Sequence, residues 1–221
     1  MTIALLVFFS SVHLVAQENE EKQTKIKYNP LKTPVEDQDD IWEVYFGSAF
    51  LMPRSNSIQA NKLAFNAGLN YFYELNFSPQ KRFSAAIGLG YNFQHLKIKG
   101  LFSENNENVF VPSGNISGLS NPRINVHSLR IPFELRLKLP SEFKVYLGYN
   151  IMFPLGNTMK YEVNEEEFNR KNGVNISTLH HGPSLRIGYK DFFLFSRFQF
   201  SSFFESPHNL NLFSFGISLG G

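Results

Sequence analysis

The chain has 221 residues, 43% of them hydrophobic and 15% aromatic, and a formal net charge of +2. A balance this even, with no Lys/Arg-rich cluster, argues against nucleic acid as a partner. The absence of cysteine excludes disulfides, thiolate metal sites and cysteine catalysis. The distinctive feature is 24 Phe, 9 Tyr and 1 Trp beside 15 Gly. Aromatic side chains favour half-buried pleated strands, and glycine favours turns.

An apolar stretch runs from Ile3 through Phe9 to Leu14-Val15-Ala16, and Gln17 and the acidic run Glu18-Asn19-Glu20-Glu21 follow it. This layout predicts a secretory signal peptide over residues 1–16, although no Lys or Arg precedes the apolar stretch. The stretch is too short for a comfortable transmembrane helix. Residues 17–40, with Pro30, Pro34 and the acidic run Glu36-Asp37-Gln38-Asp39-Asp40, have little apolar surface to bury and predict a flexible periplasmic leader.

From residue 41 to residue 221 the dominant period is two, the signature of strands with one face apolar. The first strand sets Trp42, Val44, Phe46, Ser48 and Phe50 against Glu43, Tyr45 and Gly47. The second alternates from Lys62 to Leu75, with Leu69, Tyr71 and Tyr73 on one face and Asn66, Asn70, Phe72 and Glu74 on the other. The third sets Phe83, Ile87, Leu89, Tyr91 and Phe93 against Ser84, Gly88, Gly90, Asn92 and Gln94. A fourth opposes Leu129, Ile131, Phe133, Leu135 and Leu137 to Ser128, Arg130, Pro132, Glu134, Arg136 and Lys138. The fifth opposes Phe143, Val145, Leu147, Tyr149, Ile151 and Phe153 to Lys144, Tyr146, Gly148, Asn150 and Met152. Weaker patterns over residues 181–189, 192–204 and 213–219 complete a set of eight, the seventh aromatic on both faces. Pro132 lacks a ladder donor and predicts a local bulge or break.

The two faces identify their solvents. Turned outward in water, the small and polar face would be a poor solubilising surface. Its apolar counterpart would crowd a narrow barrel with more Phe, Tyr and Leu than it could hold. Reversed, the large residues meet lipid, and their face carries no Asp, Glu, Lys or Arg, each costly at a bilayer midplane. The connections agree: residues 52–61, 100–124 and 156–175 are long and polar, while 76–82, 140–142 and 190–191 are short. Only the seventh connection, near Glu205-Ser206-Pro207, is shorter than the alternation requires. The expected architecture is all-β: an eight-stranded antiparallel up-and-down transmembrane β-barrel in the outer membrane of a Gram-negative cell envelope, both termini periplasmic. Inward Glu43, Arg130, Glu134, Arg136, Arg186 and Arg197 are expected to form a lumen charge network that leaves no open pore. Trp42, Tyr73, Phe83, Phe143, Tyr189 and Phe192 are expected to form a periplasmic aromatic girdle.

Three stretches carry a family resemblance: Ser128-Leu129-Arg130-Ile131-Pro132-Phe133-Glu134-Leu135-Arg136, Tyr146-Leu147-Gly148-Tyr149, and Gly182-Pro183-Ser184-Leu185-Arg186-Ile187-Gly188-Tyr189. Together they resemble the PorT-like outer-membrane β-barrel family, over residues 41–221. The resemblance implies an outer-membrane barrel inserted by the barrel-assembly machinery, and it opens a role in the type IX secretion machinery.

Candidate catalytic groups are few. A lipid deacylase of the barrel type needs a nucleophilic serine oriented by a histidine with a carboxylate behind it, but His127 and Ser128 are strand neighbours and point to opposite faces, as do His181 and Ser184. His180 and His181 diverge likewise, and Glu165-Glu166-Glu167 reads as a solvated loop, so neither indicates a metal site. The sequence therefore predicts no catalytic, cofactor-binding or metal residues and no cofactor. The expected function is non-enzymatic: a structural anchor, scaffold or surface-loop binding protein, touching membrane lipid and, through its leader or loops, an envelope protein partner. The alternatives are a secretion-assembly subunit and a lipid-modifying barrel enzyme.

Overall fold

The computed structural model describes residues 41–53, 64–78, 81–102, 110–112, 115–205 and 210–220. The expected signal peptide (1–16) and leader (17–40) lie outside the described residues. In chain order the strands are β1 (Trp42–Pro53), β2 (Ala64–Asn76), β3 (Phe83–Lys97), β4 (Gly100–Phe102), β5 (Phe110–Pro112), β6 (Leu119–Lys138), β7 (Phe143–Val163), β8 (Glu166–Lys171), β9 (His180–Tyr189), β10 (Phe192–Phe198) and β11 (Leu210–Gly220). Eight of them form the wall, in the order β1-β2-β3-β6-β7-β9-β10-β11, each antiparallel to its neighbour. The wall closes where β11 pairs back onto β1, from Glu43↔Gly220 to Pro53↔Leu210. This is the all-β, eight-stranded up-and-down barrel that the alternation predicts. Closure matters because an open edge would leave a row of unpaired backbone groups.

Side chains alternate across the wall as the period requires. On β1, Glu43, Tyr45 and Ala49 are buried inside while Val44 and Phe46 are exposed outside. The outward positions of the eight wall strands carry no charged residue until Lys97, Arg123 and Lys160, near the end with the long connections.

The structure departs from the sequence expectation in the long connections, midway along β7 and at the end of β10. Much of 100–124 and 156–175, expected as loop, is strand. β6 begins at Leu119, and β7 runs on to Val163 before turning back into β8. The turn residues Asn164 and Glu165 both have positive φ (51° and 73°), the backbone that joins two strands without splaying them. A bulge that the sequence did not indicate lies in β7: His127 pairs with Gly156 and Ser128 with Pro154, so Leu155 is the extra residue. That insertion flips the parity of β7, which is why Met159 points inward and is fully buried. At Pro132, where a bulge or break was expected, the register is kept and pairing with β3 lapses between Ile87↔Phe133 and Gly90↔Arg130. The break is there, without a bulge. Finally, β10 stops at Phe198 rather than near Phe204, and Phe203 and Phe204 fold inward. The seventh connection therefore starts at Gln199 and is longer than the sequence suggested.

The aromatic residues of the inner face have a common solution. Tyr45 pairs across strands with Gly68, Phe72 with Gly88, Phe193 with Gly188 and Phe195 with Gly216. Each ring lies over its glycine, in space that a Cβ would occupy. This accounts for the strand that reads as aromatic on both faces: Phe193 and Phe195 point into the lumen over glycines of neighbouring strands.

A side chain at such a glycine should therefore lower stability. At Gly68 a Cβ would come within 2.4 Å of the Tyr45 hydroxyl and 2.2 Å of the Tyr91 carbonyl oxygen. Gly68→Val is expected to destabilise the barrel by about 1–3 kcal/mol, whereas Leu69→Val on the outer face should change little. Urea unfolding in phospholipid vesicles, followed by tryptophan fluorescence, measures both.

Candidate functional site

The barrel's concentrated polar chemistry lies in its lumen. Glu43 of β1, Arg130, Glu134 and Arg136 of β6, Arg186 of β9 and Arg197 of β10 all point inward and are buried. Glu43 sits opposite three guanidinium groups: Arg186 Nε and Arg197 Nη2 are each 3.2 Å from Oε1, and Arg130 Nη1 is 4.0 Å from Oε2. Arg186 Nη1 also donates to Glu134 at 3.1 Å, and Arg136 Nε donates to Glu134 at 2.9 Å. The structure brings all six sequence-predicted residues together.

Two further members, Glu74 and Lys138, were placed on polar faces by the alternation without being assigned to the cluster. Glu74 lies 3.7 Å from Arg136 Nη1 and 2.9 Å from Lys138 Nζ. Their signal is parity: Glu74 shares its face with Asn66 and Asn70, and Lys138 shares its face with Arg136. Neutral donors complete the carboxylates, Asn70 Nδ2 on Glu43 and the Ser84 hydroxyl on Glu74. Arg130 Nε donates to Asn150 Oδ1 at 2.9 Å.

Cations outnumber carboxylates in this cluster, with Arg130, Arg136, Lys138, Arg186 and Arg197 against Glu43, Glu74 and Glu134. The inward aromatic faces offset the excess. Arg197 lies 3.9 Å from the Tyr45 ring centroid and 4.2 Å from that of Phe195. Arg186 is 4.4 Å from Phe193, and Arg136 is 4.5 Å from Phe72 and 4.9 Å from Tyr146. A desolvated guanidinium gains most from such a contact, because water no longer competes for it.

Toward the long-connection end the lumen changes character twice. Above the ion cluster, Asn66, Asn92, Gln94, Asn150, Arg197 and Gln199 border a water-sized cavity together with apolar Met152, Phe198 and Leu212. Above that, an apolar tier fills the mouth: Ala49, Leu96, Ile98, Ile124, Val126, Met159, Leu210 and Leu212 pack against Val174, Phe203 and Phe204 from the connections. The expectation of a polar lumen along its whole length is corrected here. The inward parity of β3, β6 and β11 continues outward with Leu96, Ile124, Val126, Leu210 and Leu212, a signal the sequence already carried.

The histidine and serine candidates are kept apart. His127 points outward, with its Nδ1 bonded to the Tyr91 hydroxyl, while Ser128 is buried inside. His181 points outward onto the Tyr149 hydroxyl at 2.6 Å, and His180 is buried inside with Nε2 3.2 Å from the Phe203 carbonyl oxygen. Glu165 sits in the β7–β8 turn, and Glu167 pairs with Arg123 at 3.3 Å. Trp42, Tyr73, Phe83, Phe143, Tyr189 and Phe192 are all exposed on the outer wall, toward the end with the short turns. Phe143, Tyr189 and Phe192 stand directly opposite one another across three strands.

No family model matches the sequence, and no curated protein matches it. Among solved structures, the chain is similar to Ail, the attachment invasion locus protein of Yersinia pestis. That similarity has 10% identity and a TM-score of 0.42, covering 81% of this chain and 94% of that one. It is also similar to Neisserial surface protein A, with 11% identity and a TM-score of 0.43, covering 84% of this chain and all of the other.

Removing the central carboxylate tests how the lumen is held. Glu43→Gln leaves three buried guanidinium groups without their shared anion and is expected to cost about 3–5 kcal/mol. Glu142→Gln breaks the exposed Lys190–Glu142 pair and should leave the unfolding midpoint unchanged. Urea unfolding of both variants in vesicles makes the comparison.

Proposed function

We propose that this chain is a non-enzymatic outer-membrane β-barrel protein, with both termini in the periplasm, that anchors and displays its long connections at the cell surface. One observation carries the reading. The outer wall is a continuous apolar belt, with Leu147 and Leu194 each 60% exposed, around an interior packed with ion pairs. In water such a surface would drive aggregation, whereas in hydrocarbon it is the stable face, and the charges belong inside. The aromatic residues near the short turns suit the periplasmic interface of such a membrane.

The filled lumen argues against a diffusion pore. The separation of His127 from Ser128, and of His181 from Ser184, argues against a hydrolytic dyad and so against a lipid-modifying enzyme. What extends beyond the belt is a rigid β7–β8 hairpin and a small β4–β5 hairpin, platforms on which loops commonly bind partners. A role in a secretion assembly rests on the PorT-like resemblance. The residues that carry it include Arg130, Glu134, Arg136 and Arg186, which build the lumen cluster. The resemblance therefore supports a shared barrel interior more than a shared partner.

Cell fractionation with a heat-modifiability gel tests the reading. The expected result is recovery in the outer-membrane fraction, a migration shift on boiling, and no conductance steps in a planar bilayer. A soluble periplasmic protein without a shift would overturn the reading and turn the apolar face into the lining of a ligand cavity.

A further inference from the structure

We propose that the outer wall formed by β3, β6, β7 and β8 binds the phosphate groups of membrane-lipid headgroups, at the end with the long connections. This rests on the membrane reading above. The central observation is a row of like charges in direct register: Lys97 stands opposite Arg123, and Arg123 opposite Lys160. All three point outward, because Leu96, Ile124 and Met159 beside them are fully buried. Like charges placed directly opposite across strands destabilise a sheet. Among the described residues only Arg123 has an acidic partner, Glu167 at 3.3 Å, and that carboxylate side chain is 58% exposed. One pleat nearer the belt lies a second row, His95, Asn125, Thr158 and Lys171. An anion with several oxygens bridging these groups would relieve the repulsion.

The height of the rows identifies the anion's source. The outward apolar residues of β3 run from Phe83 to Phe93, about 34 Å along the strand at ~3.4 Å per residue. With a strand tilt of about 40° that is roughly 26 Å across the membrane, the height of an outer-membrane hydrocarbon band. His95 and Lys97 are the next two outward positions, so they meet the headgroup plane. Across the barrel, β1 and β11 carry Phe50 opposite Phe213 and Met52 opposite Asn211, none of them charged. Among the described residues the cations therefore form a one-sided patch, which suits a bound headgroup better than the general snorkelling of lysines at an interface. Carboxylates do stand one row farther out, Glu162 and Glu167. Glu162 accepts hydrogen bonds from Ser120 and Asn121, which leaves the cation row facing the lipid side.

Native mass spectrometry of the detergent-extracted, full-length protein tests this, with phosphorylated lipid A and chemically dephosphorylated lipid A as probes. Wild type is expected to retain the phosphorylated form about tenfold better, the scale of effect of several cations at an anionic lipid surface. The triple variant K97Q/R123Q/K160Q should lose that preference, while Lys190→Gln at the opposite end should keep it. Both variants are checked for the boiling-dependent gel shift. Equal retention of the two lipids by a heat-modifiable wild type, or an undiminished preference in a heat-modifiable triple variant, overturns this proposal and leaves the membrane reading standing. Displacement of the lipid by millimolar inorganic phosphate would assign the patch to free phosphate and also overturn it. A wild type without a gel shift overturns both.

Discussion

Glu43 sets the interior of this barrel. It projects from the closing strand β1 and reaches Asn70 on β2, Arg130 on β6, Arg186 on β9 and Arg197 on β10. A carboxylate with those partners ties β1 across the lumen to β6, β9 and β10, none of which shares a backbone ladder with it. Its burial is tolerable only because every side of it meets a donor. The reverse also holds: each guanidinium is held in place by Glu43, Glu134 or Glu74 and by an aromatic face. A network of this kind has few alternative pairings of equal quality. It therefore favours one register for the wall, because a slip of one residue would turn these charges to the outside.

The excess of cations over carboxylates would be unfavourable in a lumen lined only by small polar residues. Here glycines on neighbouring strands let Tyr45, Phe72, Phe193 and Phe195 lie flat against the wall, and those rings carry the guanidinium groups. One arrangement thus solves two problems, since the rings fill volume that glycine leaves open and present their negative faces to charge. Substituting the glycines would displace the rings and so disturb the electrostatics at a distance.

The eight wall strands, their antiparallel order and the inward set of charges were legible because a strand alternates with period two wherever its faces meet different solvents. Where the two faces stop differing, the signal fails. Beyond Ser128 and Gln94 the inner face turns apolar, with Val126, Ile124 and Leu96, and the outer face turns polar, so β6 and β7 past the belt resemble loop. The bulge at Leu155 compounds this by inverting parity midway along β7. Phe203 and Phe204 mislead in the opposite sense: they continue an aromatic strand pattern, yet they leave the wall to close the mouth. At Pro132 the local rule holds in its milder form: two pairings with β3 are lost, Gly88 gives the ring room, and no bulge is needed. For the site, position on a face was readable but proximity was not. Glu74 and Arg136 are distant in sequence and become partners only through the register of β2, β3 and β6.

The packing of the lumen constrains where function can reside. Ion pairs, amides and an apolar tier succeed one another from the short turns to the mouth, so a solute would have to break all three to pass. On the reading proposed above, binding falls to surfaces beyond or around the belt, and there the strands do not simply end. β6 and β7 continue together past the last lipid-facing residues, and β8 extends the sheet on β7. Sheet continued from the wall inherits the rigidity of the barrel, which lowers the ordering entropy that a flexible loop would lose on binding. A recognition surface built on this extension is pre-organised by the same backbone ladder that closes the barrel. That gives a small, packed barrel a way to act without opening its lumen.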